Sequence, residues 1–239
     1  MAGMVRVFVI DTLLSFMWVW ASVFVKLNVD NVLGFLSCND NGHVIVSEII
    51  RCFFSVVNMF LFAYLVKLTN GGAFNPINVF VSAVNGTFLT FLFNVARIPF
   101  QVFGSIIGVR FVLQTFPEIS RGPELVINLH QGALTEGLLT FTHVLITLGL
   151  DRNFRGSFFR KTWISSILKL SLHILGSDLT GGCMNPAAVN GWAYALGVHK
   201  TKEHIIVYWL APIEASLFAV WTFRLLVRRS KPVKQKKTD

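Results

Sequence analysis

Charge is scarce in this chain. Asp, Glu, Lys and Arg together make up 14% of its 239 residues, too little to cover a soluble domain of that length. Acids are the scarcest: 12 Asp and Glu stand against 21 Lys and Arg. They form no cluster, so neither a metal site nor a relay of proton carriers has material to build on. Cysteine is almost absent as well. Cys38, Cys52 and Cys183 give neither a disulfide framework nor a metal spacing. Cys38 and Cys52 fall towards one face of the expected topology, and nothing in the sequence pairs them. His130, His143, His199 and His204 have no ligand grouping. No nucleophile stands beside a base and no glycine-rich phosphate loop occurs, so the common forms of enzyme chemistry, with or without a cofactor, are excluded.

What the chain does have is apolar surface. Hydrophobic residues make up 54%, 23 residues are Phe, and mean hydropathy is +0.62. Six apolar segments run roughly over 5–25, 46–66, 97–116, 133–150, 162–178 and 204–227. A helix of about 20 residues crosses a bilayer core, so six transmembrane helices are expected. The first segment follows Arg6 without a small-residue cleavage site and reads as an uncleaved membrane helix.

The net charge of +9 invites a nucleic-acid reading, but the positions argue against it. Arg152, Arg155, Arg160 and Lys161 cluster between segments four and five. Arg228, Arg229, Lys231, Lys234, Lys236 and Lys237 cluster after segment six. Those are loops that the positive-inside rule assigns to the cytosol. Six crossings then place both termini there, with a basic cytosolic tail over 229–239.

Two stretches are near copies. Gly71-Gly72-Ala73-Phe74-Asn75-Pro76-Ile77 recurs 110 residues later as Gly181-Gly182-Cys183-Met184-Asn185-Pro186-Ala187. Irregular backbone at membrane depth survives only where protein or water satisfies its polar groups, so the repeat points to a pore. The duplication extends further: Asp11-Thr12-Leu13-Leu14-Ser15-Phe16 resembles Glu136-Gly137-Leu138-Leu139-Thr140-Phe141. Each half therefore has three crossings and one Asn-Pro loop. Three is odd, so the second half is inverted relative to the first, as in many transport proteins. One channel domain over 1–228 is expected, with repeats of about 1–125 and 126–228.

Asn is a strong N-cap and Pro suits the first helical position. Short helices should start at Pro76 and Pro186 and run to about Ala83 and Leu196. Entering from opposite faces, they would meet N-terminus to N-terminus and put partial positive charge at mid-pore. A permeant could accept from the Asn75 and Asn185 amides. Asp11 and Glu136, acids inside apolar segments, are read as carboxylates that accept backbone N–H bonds and hold the two loops.

On these residues the chain resembles the major intrinsic proteins, the aquaporin family, over roughly 5–228. Gln101-Val102-Phe103-Gly104 also resembles the family's Gln-x-x-Gly. The basic balance, the Lys-rich tail and Asn75-Pro76-Ile77 with its bulky third residue look most like the second subgroup of the plant small basic intrinsic proteins. The resemblance implies an all-α integral membrane fold of six helices plus two re-entrant half-helices. It implies a homotetramer in membrane lipid, one pore per subunit, and the endoplasmic reticulum as address. Spacing from the motifs carries the family's constriction onto Ser55, His173, Gly182 and Ala188. Water-selective members have a Phe and an Arg where Ser55 and Ala188 stand, so the gate should be wider and lack a fixed positive charge. Cys183 becomes a candidate mercury-sensitive thiol, and Ile77 falls where the half-helices should touch. Lys236 and Lys237 resemble a dilysine retrieval signal.

The implied function is passive conduction of water and other small neutral solutes. A structural or regulatory membrane protein with a poorly conducting pore is the alternative. A secondary transporter would need a free midplane carboxylate, and none is found.

Overall fold

The computed structural model describes residues 2–36, 40–119, 122–154 and 157–229. Lys236, Lys237 and Cys38 lie outside them. The chain is helical: α1 (Ala2–Leu36), α2 (Asp40–Leu68), α3 (Pro76–Val84), α4 (Phe88–Thr115), α5 (Leu129–Asn153), α6 (Phe158–Gly176), α7 (Pro186–Ala195), α8 (Lys202–Ile205) and α9 (Ala211–Arg229). A π-helical turn over Ile206–Leu210 joins α8 to α9 without a break.

Two helix pairs carry the bundle, α1 against α4 and α5 against α9. The first pair closes on glycine. A Cβ added at Gly104 would run into the Thr12 carbonyl oxygen, and one at Gly108 would stand 3.1 Å from that of Phe16. With a small residue at each turn of α4, the two backbones come together. Val19, Val23, Val109, Val112 and Ile119 fill the seam beyond. The short helix α7 lies against α4, where Gly191 leaves room for Ser105: an added Cβ would meet its carbonyl oxygen at 2.7 Å. The other short helix, α3, is held by α4 and α9. Helix α6 packs between α2 and α5. Apolar side chains such as Phe53, Leu61, Leu134 and Phe218 remain exposed on the outside, as a lipid-facing surface requires.

Several elements depart from the sequence expectation. Helix α1 continues from 25 to Leu36, through Lys26 and Asp30. At 35 residues it is about 50 Å long, more than a bilayer core of about 30 Å. A charge ends an apolar window, but it does not end a helix whose hydrogen bonds are internal. Helix α4 begins at Phe88, ahead of the expected 97, with the Thr87 hydroxyl accepting from Thr90 N at 3.3 Å. Asn94 and Arg97 hid this start, and both are buried. Of the six long helices expected, five among the described residues are apolar enough to cross a membrane by length and composition alone. The exception is α6, 19 residues with Arg160 and Lys161 near its start and Lys169 in its middle.

The candidate pore and its supports

Each short helix starts as its Asn-Pro pair dictates. Asn75 Oδ1 accepts from Ile77 N at 3.0 Å, and Asn185 Oδ1 accepts from Ala188 N at 3.4 Å. Pro76 and Pro186 occupy the first helical positions, where a missing N–H costs nothing. The two motifs are also bonded to each other. Asn75 Nδ2 donates to the Met184 carbonyl at 2.8 Å, and Asn185 Nδ2 donates to the Phe74 carbonyl at 3.1 Å. One N–H of each amide thus ties the opposite loop. Both Asn residues are nearly sealed, 1% and 3% exposed, so any contact with a permeant is confined to the other N–H. Ala187 is fully buried.

Ile77 corrects an expectation. Its side chain, 1% exposed, packs with Val144 of α5 and with Ala219 and Val220 of α9. A large aliphatic side chain at position 77 fills a core between α3, α5 and α9.

The two buried acids hold the loops in different ways. Asp11 Oδ1 accepts from Ala73 N and from Arg97 Nη2, both at 2.8 Å. Its Oδ2 accepts from Arg97 Nε at 2.8 Å and from Gln101 Nε2 at 3.0 Å. Arg97 Nη2 also donates to the Gly71 carbonyl at 2.7 Å. The first loop is therefore clamped on both sides by a buried, bidentate ion pair, the strong form of such a bond. Sequence reasoning missed Arg97. The signal was present: Arg97 and Gln101 are four residues apart, hence on one face of α4.

Among the described residues Glu136 has no such cation. Its Oε1 accepts from the Thr180 hydroxyl at 2.7 Å and from Cys183 N at 3.0 Å, and its Oε2 from Met184 N at 3.1 Å. Tyr208 Oη, on the π-helical turn, donates to the Thr180 carbonyl at 2.8 Å. The loop between them is left-handed at Gly181 (φ +86°), Gly182 (φ +51°) and Met184 (φ +47°). Glycine takes that region freely, and Met184 is held in it by its bonds to Glu136 and Asn75.

Of the four expected constriction positions, two are in contact: His173 Nδ1 lies 3.2 Å from the Gly182 carbonyl oxygen. Gly182 could be nothing larger, because an added Cβ would meet the His173 carbonyl oxygen at 2.6 Å. Ala188 is half-buried on α7. Ser55 is half-buried on α2 and forms no hydrogen bond among the described residues. Cys183 packs against the cluster of Val189, Val207 and Tyr208, with its thiol donating to the Gly181 carbonyl at 3.4 Å.

On the α3 side of the Asn-Pro junction lies a cavity of about 690 Å³. It is walled by α2, α3, α5 and α6, and its lining includes Phe74 and Trp18. Two short helices bonded N-terminus to N-terminus inside apolar helices, with a cavity alongside the first of them, define a polytopic membrane protein of the channel class. The sequence model of the major intrinsic protein family matches residues 2–223. "Probable aquaporin SIP2-1" of Arabidopsis thaliana is 53% identical, over 95% of this chain and 94% of its own. "Aquaporin SIP2-1" of Oryza sativa subsp. japonica is 42% identical, over 92% of this chain and 87% of its own. The crystal structure of the aquaglyceroporin from Plasmodium falciparum superposes with a TM-score of 0.68 at 17% identity, covering 94% of this chain and 97% of that one, and so shares the fold. The chain belongs to the major intrinsic protein family, the aquaporins. It is a multi-pass membrane protein, and its family is one of channels for water or small solutes.

Proposed function

We propose that this chain conducts water and small neutral solutes passively between α3 and α7, through a gate wider than that of a strictly water-selective pore. The reciprocal amide bonds carry the reading: Asn75 to Met184 at 2.8 Å and Asn185 to Phe74 at 3.1 Å. They support a junction at which two helix dipoles aim partial positive charge at the permeant. The free N–H of each amide orients its oxygen. Ser55, His173, Gly182 and Ala188 form the gate; Ser55 and Ala188 leave it broad and without charge of its own. Asp11 and Glu136 serve the loops, which leaves neither for ion coupling.

In this reading 1–228 is one channel domain with inverted repeats of about 1–125 and 126–228. Both termini and the 229–239 tail face the cytosol. Four copies assemble in the lipid of the endoplasmic reticulum, with Lys236 and Lys237 as the address. Stopped-flow swelling of proteoliposomes with water, glycerol, urea and hydrogen peroxide tests the function. Asn185→Ala should lower stability by about 1 kcal/mol through the lost cap and cut conduction sharply. A folded Asn185→Ala protein with normal permeability overturns the reading.

A further inference from the structure

One charge inside the bundle has no role in what precedes. Lys169 lies in the middle of α6, one turn before His173, and lines the cavity beside α3. Its ammonium stands 4.6 Å from the centre of the Trp18 ring and 5.8 Å from that of Phe74. Those rings stack on each other, 4.6 Å between centres at 23°, and present one ledge of π-electrons. Such a ledge attracts a cation most strongly where water is scarce. Phe74 is also the residue whose carbonyl accepts from Asn185 at 3.1 Å. The ammonium is therefore seated one residue from the Asn-Pro junction.

It is uncompensated. Among the described residues Lys169 has no carboxylate partner. The cavity's other charged side chains are Lys67, Asp151 and Lys161. Asp151 is already paired with Lys161, and Lys67 is exposed, 4.8 Å over the Phe158 ring. The single carboxylate at the wall is thus spent on another lysine. His143 Nδ1, on the facing α5 wall, is buried without a hydrogen-bond partner among the described residues and offers no negative charge either. An isolated ammonium is costly inside a membrane protein and marks a functional position. Here it adds to the positive ends of α3 and α7, while Ala188 contributes no charge at the other end.

We propose that Lys169, held on the Trp18–Phe74 ledge, is the fixed positive charge of this pore: it makes the α3-side vestibule repel small cations and attract small anions. The assignment rests on the channel reading for its consequence, but the potential it creates is a property of the cavity and is measurable without conduction.

The experiment places a reporter thiol one turn from Lys169. Cys38, Cys52 and Cys183 are replaced by Ser, and Ser165→Cys is added, at a cavity-lining position. The purified full chain in detergent is labelled with the anionic sulfonatoethyl and the cationic trimethylammonioethyl methanethiosulfonates. Residues four apart on a helix have Cβ atoms about 6 Å apart. At that range a unit charge, partly screened, should favour the anionic reagent, and Lys169→Met should lower the anionic-to-cationic rate ratio about tenfold or more. Lys169→Arg should keep it. In proteoliposomes of the chain with its native cysteines, Lys169→Met should raise the ratio of potassium to water permeability.

A reagent ratio within twofold of the parent in Lys169→Met overturns the proposal. So does a parent thiol that neither reagent reaches, since the cavity would then be no vestibule. A lowered reagent ratio with an unchanged permeability ratio removes the barrier role. If the native protein passes no water, the channel reading fails while the reagent ratio still decides the charge.

Discussion

The clamp on the first loop is where a single substitution should cost most. Arg97 gives the Asp11 carboxylate two bonds of 2.8 Å and the Gly71 carbonyl one of 2.7 Å. The pair is sealed, with side chains 9% and 0% exposed. Arg97→Met keeps the length and removes the charge. It leaves a buried carboxylate with only Ala73 N and Gln101 Nε2 as donors, and it orphans Gly71. Breaking one side of such a pair costs about 3–5 kcal/mol, because an uncompensated charge stays inside. The complement is Arg97→Met with Asp11→Asn. Neutralising both sides removes the stranded charge, and the new amide finds an acceptor. Gln101 Oε1 has no partner among the described residues, so a turn of the Gln101 amide supplies one. The double variant should therefore regain at least about 1 kcal/mol over the single, a coupling of the size contacting residues show. Thermal unfolding in detergent, followed by tryptophan fluorescence, reads this directly. For a chain of this size about 1 kcal/mol corresponds to about 2–4 °C, so the single variant should melt about 10 °C lower. The control is Arg51→Met, whose pair with Glu48 at 3.1 Å is half exposed on both sides and should move the transition by no more than about 1 kcal/mol. An Arg97→Met protein within about 2 °C of the native one would refute the reasoning. So would a double variant no more stable than the single.

Gly104→Ala drives a methyl group into the Thr12 carbonyl oxygen and should separate α1 from α4, costing about 3 kcal/mol or more. Gel filtration of the purified variant against Gly137→Ala, whose Cβ would meet nothing nearer than 3.9 Å, checks it. Ala188→Arg should narrow the gate and add charge, lowering glycerol and urea passage more than water passage; Ser55→Phe tests width without charge. An unchanged solute profile in folded protein would remove both residues from the gate. Asn85-Gly86-Thr87 is the only Asn-x-Ser/Thr sequon in the chain. The proposed orientation puts it on the cytosolic side, so endoglycosidase treatment of protein made in microsomes should cause no mobility shift, and a shift lost in Asn85→Gln would invert the topology.

Much of the centre was written in one dimension. Asn-Pro behind Gly-Gly, twice, specifies two helix starts, because capping and the fixed φ of proline act within a few residues. Asp11 and Glu136 stand out because an acid in an apolar segment must find donors. What those donors are could not be read locally. The partner of Asp11 lies 86 residues away on another helix, and Arg97 looked like the edge of a segment until α4 wound past it. Ile77 and Lys169 make the same point from opposite sides. Composition treats one as a bulky motif residue and the other as a break in hydrophobicity. Their direction is set by the rotation of α3 against α5 and α9 and of α6 against α2 and α5. That rotation follows from packing the whole bundle: the sequence alone determined that two half-helices meet, and only the tertiary structure decided that Ile77 faces the core and that a lysine lines the cavity beside α3.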